Sequence, residues 1–128
     1  SKSYAFGNLS GRNKVGGLIG KVDGESSEVK ISNSYSAVTS LSGNSEIGGF
    51  IGNLTSSTVN DTYWDKEISG LSDSATDNST GLSTSEMQGS SAESNMAGLD
   101  FTDTWDMVSG DYLVLRKLDR DMQLEARD

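Results

Sequence analysis

One stretch occurs twice and constrains everything around it: Val15-Gly16-Gly17-Leu18-Ile19-Gly20 and Ile47-Gly48-Gly49-Phe50-Ile51-Gly52. The copies lie 32 positions apart, and Leu9-Ser10-Gly11 precedes the first just as Leu41-Ser42-Gly43 precedes the second. Ser3-Tyr4 and Ser34-Tyr35 repeat at 31, and a degraded third echo follows at Val59-Asn60-Asp61-Thr62-Tyr63. A period near 30 residues, rich in Gly, Ser, Asn and β-branched residues, is the mark of a stacked coil.

Composition supports that reading. Only 33% of the 128 residues are apolar, thin for a two-layer core but enough for a coil that buries a narrow interior column. There is no proline, and 15 glycines leave the turning to glycine and small polar residues. The net charge of −9 argues against nucleic acid and anionic membrane surfaces, whose affinity comes from Lys and Arg neutralising phosphates. With no cysteine and no histidine, disulfides, thiolate metal sites and Cys or His catalysis are excluded. No apolar run approaches the length of a membrane span and no signal peptide is evident, so no membrane insertion is expected. The chain opens in mid-pattern at Ser1-Lys2 without an initiator Met, which suggests a piece of something longer.

Strand patterns fall at Tyr4–Leu9, Lys14–Val22, Glu28–Ser32, Tyr35–Leu41, Glu46–Leu54 and Thr58–Trp64, with turns at 10–13, 23–27 and 42–45. Stacking at the 32-residue offset would set Val15 beside Ile47, Ile19 beside Ile51, Leu18 beside Phe50 and Lys14 beside Glu46. Parallel neighbours about 4.8 Å apart allow apolar ladders and a Lys14–Glu46 pair. With Lys14 and Glu46 in water, period-2 alternation turns Val15, Gly17 and Ile19 inward. Leu18 and Phe50 then point outward and need a cover, from the C-terminal segment, another domain or a partner.

The second half differs. Residues 69–81 contain almost nothing to bury and read as a long loop, and Thr84-Ser85-Glu86-Met87-Gln88 as an N-capped helical turn. Trp105 to Leu115 reads as a β-hairpin turning at Ser109-Gly110-Asp111, and Asp119–Asp128 as a charged, mildly helical tail prone to fray.

Val-Gly-Gly-Leu-Ile-Gly, followed after a variable turn by Asn33-Ser34-Tyr35-Ser36, resembles the GLUG repeat of large bacterial and archaeal cell-surface proteins, adhesins among them. Thr62-Tyr63-Trp64-Asp65-Lys66-Glu67-Ile68-Ser69-Gly70, then Thr80-Gly81-Leu82-Ser83-Thr84-Ser85-Glu86-Met87, then Leu99-Asp100-Phe101 with Trp105, resembles the segment that follows the last repeat in such proteins. The resemblance covers roughly residues 3–115. It departs at Tyr112-Leu113-Val114-Leu115, where the family often has Tyr-Pro-Val-Leu, and in holding only two repeats with no upstream cap. It implies a β-solenoid on a cell surface with a passive or adhesive role, and it supplies no catalytic residues.

Carboxylates are the one catalytic currency left. Asp100, Asp103 and Asp106 recur at intervals of three, and Asp61 lies near Asp65, but polysaccharide-cutting clusters need a long groove of several coils. Asp73, Asp77 and Asn78 are a weak Ca²⁺ candidate, since their spacing matches no EF-hand loop. The Gly16-Gly17…Gly20 run is no phosphate loop, because no Gly-Lys-Ser/Thr follows. Asn8, Asn53, Asn60 and Asn78 fit the N-glycosylation pattern, and Trp64, Trp105, Tyr35 and Tyr63 could stack on sugars or pack a core.

The expected architecture is all-β: a short right-handed parallel β-helix of about two coils over residues 1–64, a loop-rich cap over 65–118 and a tail over 119–128. The cap core would be Trp64, Phe101, Trp105 and Tyr112. The expected role is structural or adhesive and non-catalytic, within an extracellular cell-surface protein or filament, with no cofactor. Its partners would be upstream coils or neighbouring subunits, and surface glycans if it is instead a carbohydrate-binding module.

Overall fold

The structure, a computed structural model, describes residues 2–23, 29–55, 57–71 and 79–127. Strands dominate and the helices are short, an all-β class. A first pass of chain runs through β1 (Tyr4–Ser10), β2 (Asn13–Gly16) and β3 (Ile19–Asp23). A second runs through β4 (Val29–Ser42), β5 (Ser45–Gly48) and β6 (Ile51–Thr55), and β7 (Ser57–Asp65) begins a third. The chain then leaves the pattern through a short helix, α1 (Lys66–Ser69), and returns as β8 (Ser79–Leu82), which pairs with β7. Beyond it lie a 3₁₀ turn at Ser85–Met87, α2 (Gly89–Asn95), the hairpin β9 (Trp105–Val108) and β10 (Asp111–Leu115), and α3 (Arg120–Glu125).

Each pass lies in parallel register on the next, in three small sheets ordered β1-β4-β7-β8, β2-β5 and β3-β6. Val15 pairs with Ile47 and Ile19 with Ile51, the 32-residue offset read from the sequence. Tyr4 pairs with Tyr35 and Tyr35 with Tyr63, so the tyrosine echoes are rungs of one ladder. Lys14 Nζ lies 2.9 Å from the Glu46 carboxylate, as the offset anticipates.

Two expectations about direction fail for one reason. Lys14–Val22 and Glu46–Leu54 are not single strands: each breaks between β2 and β3, or β5 and β6, at the motif's second glycine. A Cβ on Gly17 would sit 2.2 Å from the Gly49 carbonyl oxygen, and one on Gly49 would sit 1.9 Å from the Trp64 ring. Only glycine lets the chain turn this close to its neighbours. Alternation restarts after each corner, so Phe50 points inward and is fully buried, not outward, and Leu18 packs half-buried against the same interior cluster.

The remaining corners are also repeated. Lys2, Asn33 and Asp61 share one rung and Lys14 and Glu46 another, and all five have φ near +50 to +60°. Asn and Asp tolerate that left-handed region better than most residues. The bend at Asn33 rotates the strand, so Ile31 joins the interior cluster while Tyr35 faces the opposite side of the sheet.

That opposite face is the apolar surface that needs a cover. Tyr4, Phe6, Tyr35, Ala37 and Tyr63 project from β1, β4 and β7, and the C-terminal lobe lies over them with Met87, Met96, Trp105, Tyr112 and Leu113. The central sheet is therefore buried on both faces. The tail takes part: Gln123 accepts from Tyr4 Oη at 2.6 Å and bonds both backbone groups of Leu115, contrary to the expectation of fraying.

Candidate functional site

The two ends of the repeat stack are built differently, and the contrast marks the first pass as the candidate site. At its upstream end β1 is an outer strand, and β2 and β3 each have a single partner. Among the described residues no strand pairs with the upstream edge of any of the three. An open hollow of about 520 Å³ lies at this end, lined by Ala5, Val15, Leu18 and Val38 among others.

The edge is irregular. Gly7 has φ 117°, the β1–β4 register slips between Asn8 and Ser10, and Leu9 is exposed. At the rim the Lys14–Glu46 pair is joined by Asn53, whose Nδ2 donates to Glu46 Oε1 at 2.6 Å. The hydrogen bond from Lys14 holds the Glu46 carboxyl below its usual range. Lys21 and Asp23 lie 3.8 Å apart nearby.

The downstream end is stopped. Ala5, Ser36, Trp64 and Gly81 form one rung series across the central sheet. Ser36 packs against Gly17 and Trp64 against Gly49, so the same position holds a small side chain in the second pass and an indole in the third. A Cβ on Gly81 would lie 2.9 Å from that indole, which is wedged between two glycines and 2% exposed. Trp64 thus fills the interior where, among the described residues, no further strand pairs with β5 and β6. It belongs to the interior cluster with Phe50 and Ile51, not to the cap core with Phe101, Trp105 and Tyr112.

The lobe is fastened by Asp65, which is 1% exposed. Its Oδ1 accepts from the backbone N–H groups of Glu67 and Ile68, capping α1, and its Oδ2 accepts from Thr84 Oγ1 at 2.8 Å and Tyr112 Oη at 2.6 Å. Burial first, and then the bond to Asp65, push the Tyr112 hydroxyl well above its ordinary pKa. Burial does the same for Tyr35 and, less strongly, for Tyr63. Gly98 docks the lobe further along: its N–H donates to Tyr63 Oη at 3.0 Å, and a Cβ there would collide with Asp61. At the 3₁₀ turn the cap is Ser83 rather than Thr84, because Ser83 and Glu86 exchange backbone-to-side-chain bonds.

Arg127 closes the other flank. Its guanidinium carbon lies 5.2 and 4.4 Å from the ring centres of Tyr4 and Phe6, and it pairs with Asp111 at 3.2 Å. It also donates to the Tyr112 and Leu113 carbonyls and to Tyr35 Oη. Arg127 was not singled out in the sequence, and Asp65 only as a carboxylate near Asp61. Asp65 had a signal, an N-cap residue five positions before Gly70, whereas one of two arginines in a charged tail carries none.

The other singled-out residues separate. Asp100 turns back on the N–H groups of Thr102 and Asp103, which hold its carboxyl below the usual range, and Asp106 pairs with Arg116 and Arg120. Asp61 is exposed and Asp65 buried. Among the described residues no three acidic side chains are placed to hold a metal ion. Asp73, Asp77 and Asn78 lie outside the described residues. Asn8 and Asn60 are exposed, while Asn53 is half-buried. Trp64, Trp105, Tyr35 and Tyr63 are all buried, so these rings form no sugar-stacking platform.

Over 115 residues, 90% of its length, the chain is 37% identical to Halomucin of Haloquadratum walsbyi. It spans about 1% of that protein's length. No family model matches the chain, and no solved structure does. No described helix is long and apolar enough to cross a membrane.

Proposed function

We propose that this chain is a non-catalytic structural module, the closing end of a short right-handed β-solenoid, and that it belongs to an extracellular cell-surface protein. The observation that carries the reading is the in-register parallel stacking of glycine corner on glycine corner, Val15-Gly16 on Ile47-Gly48. Such stacking builds a rod whose length is set by the number of coils. The motifs that resemble GLUG repeats are these same corners, and the resembling C-terminal segment is the lobe that covers the outer face of the sheet. Similarity to a small stretch of Halomucin, a haloarchaeal cell-surface protein, favours the same setting. An acidic surface suits a role in keeping chains apart and soluble.

Among the candidate acids, Asp100 is engaged in a turn and Asp106 in ion pairs, which favours the passive role. Chromatography with light scattering, over a range of protein and Ca²⁺ concentrations, tests it together with an assay on acidic polysaccharides. The expected result is one monomer mass, indifferent to Ca²⁺, and no turnover. Turnover abolished by Asp103→Asn or Asp106→Asn would overturn the passive role.

A further inference from the structure

We infer that the upstream edge formed by β1, β2 and β3 is a docking surface for one further parallel coil of the same kind, and that the module accepts coils at this end alone. The inference rests on the solenoid reading above and specifies its partner. Four observations converge on that occupant. The molecule already shows what sits on such an edge, because the second pass lies on the first through three parallel ladders at once. The hollow above Ala5, Val15 and Leu18 continues the interior column that Ser36, Ile47 and Phe50 occupy one pass later.

The third observation is the edge's irregularity. Short strands, a bulge and left-handed corners blunt an edge against chance pairing. A coil with its own corners at the same positions still fits: Lys14 and Glu46 adopt the same left-handed bend and stack as an ion pair. The fourth is polarity. At the opposite end Trp64 fills the interior between Gly49 and Gly81. A second copy therefore has no matching downstream end to offer.

The arriving coil is defined by what it must meet. It needs glycine at the two positions that stack on Gly16 and Gly17, and a small residue opposite Ala5, where an indole would stop the stack as Trp64 does. Arg127 and Gln123 reach no further upstream than Tyr4 and Phe6, so its outer face has no lobe to cover it and should be polar.

The test is a tandem chain in which a second copy of residues 3–33, carrying Tyr4→Thr and Phe6→Thr so that its uncovered face is polar, is placed directly before residue 3, one 31-residue repeat. It is compared with the parent chain by hydrogen exchange, urea unfolding and light scattering. The expected result is a monomer in which the added strands are as protected as β1 in the parent. The urea m-value should rise by about a quarter, following the added surface buried. Protection confined to the original strands would overturn the acceptor role while leaving the solenoid reading intact. Loss of protection throughout the tandem chain would also overturn it. Concentration-dependent dimers of the parent that protect β1 would assign the edge to a second copy instead. The solenoid reading fails separately if β4 and β7 are unprotected in the parent.

Discussion

The stacked passes and the C-terminal lobe share one sheet but are held by different physics. The passes are held by backbone ladders and by glycines that admit a neighbouring chain, so their side chains can stay small and polar. The lobe has few ladders and relies on large rings: Trp105 and Tyr112 lie 5.4 and 6.3 Å from the Tyr35 ring, centre to centre. It adds side-chain bonds from Asp65, Gln123 and Arg127 that reach across the fold. Repetition can specify the first arrangement, because each pass repeats the same local instructions. The second needs particular residues far apart in sequence.

The largest test of that division is to remove a ring. Trp105→Ala, at a site with no exposure, should lower stability by about 3–5 kcal/mol in urea unfolding. Hydrogen exchange should show the lobe and the outer face of the central sheet opening before β2-β5 and β3-β6. Uniform loss of protection would make the two regions one cooperative unit.

Corner glycines probe the stacked side. Gly49→Ala drives a methyl into the Trp64 ring and Gly17→Ala into the Gly49 carbonyl, each costing about 1–3 kcal/mol or more. Gly110, in the hairpin turn of the lobe, has open space around it and φ 72°, so Gly110→Ala should cost only the left-handed penalty of about 1–2 kcal/mol. Equal effects at Gly49 and Gly110 would remove close approach as the reason for the motif.

Alkali should act on the junction between the regions. Tyr35, Tyr63 and Tyr112 all have hydroxyls raised above the ordinary tyrosine value. The unfolded chain therefore loses these protons first, near pH 10, and stability should hold below that pH and fall as pH rises further. Urea midpoints between pH 8 and 12 measure the slope, and Tyr112→Phe should flatten it. An unchanged slope would exclude Tyr112 as a contributor.

The smallest effect should come from the Lys14–Glu46 pair, where both side chains are about 40% exposed. Exposed pairs contribute little and are screened by salt. A double-mutant cycle with Lys14→Met and Glu46→Gln should show a weak coupling that disappears in high salt. A coupling that survives salt would make the rim more than a solvated surface.

Much of the stack could be read from residue spacing. The 32-residue offset gives the partners of Val15, Ile19 and Lys14 because β2-β5 and β3-β6 keep that one register. The hairpin at Ser109-Gly110 was legible for a similar reason, since two strands and a glycine turn are local. Side-chain direction was not. Whether Phe50 faces in or out depends on the corner beside it, and a glycine pair does not declare whether it continues a strand or turns it.

The candidate site was legible only as an unfinished repeat. What separates the two ends of the stack is a tertiary fact, because it depends on Trp64 entering the interior while Trp105 covers the outside. Both are tryptophans in strand patterns, and nothing in either neighbourhood separates the two roles. By itself the sequence determined the period near 30, the register of β2-β5 and β3-β6 and the all-β class, which depend on contacts that recur at similar separations. Only the tertiary structure decided which face the lobe covers, what Asp65 and Arg127 fasten, and which end is stopped, because those contacts each occur once, between residues at unrelated distances along the chain.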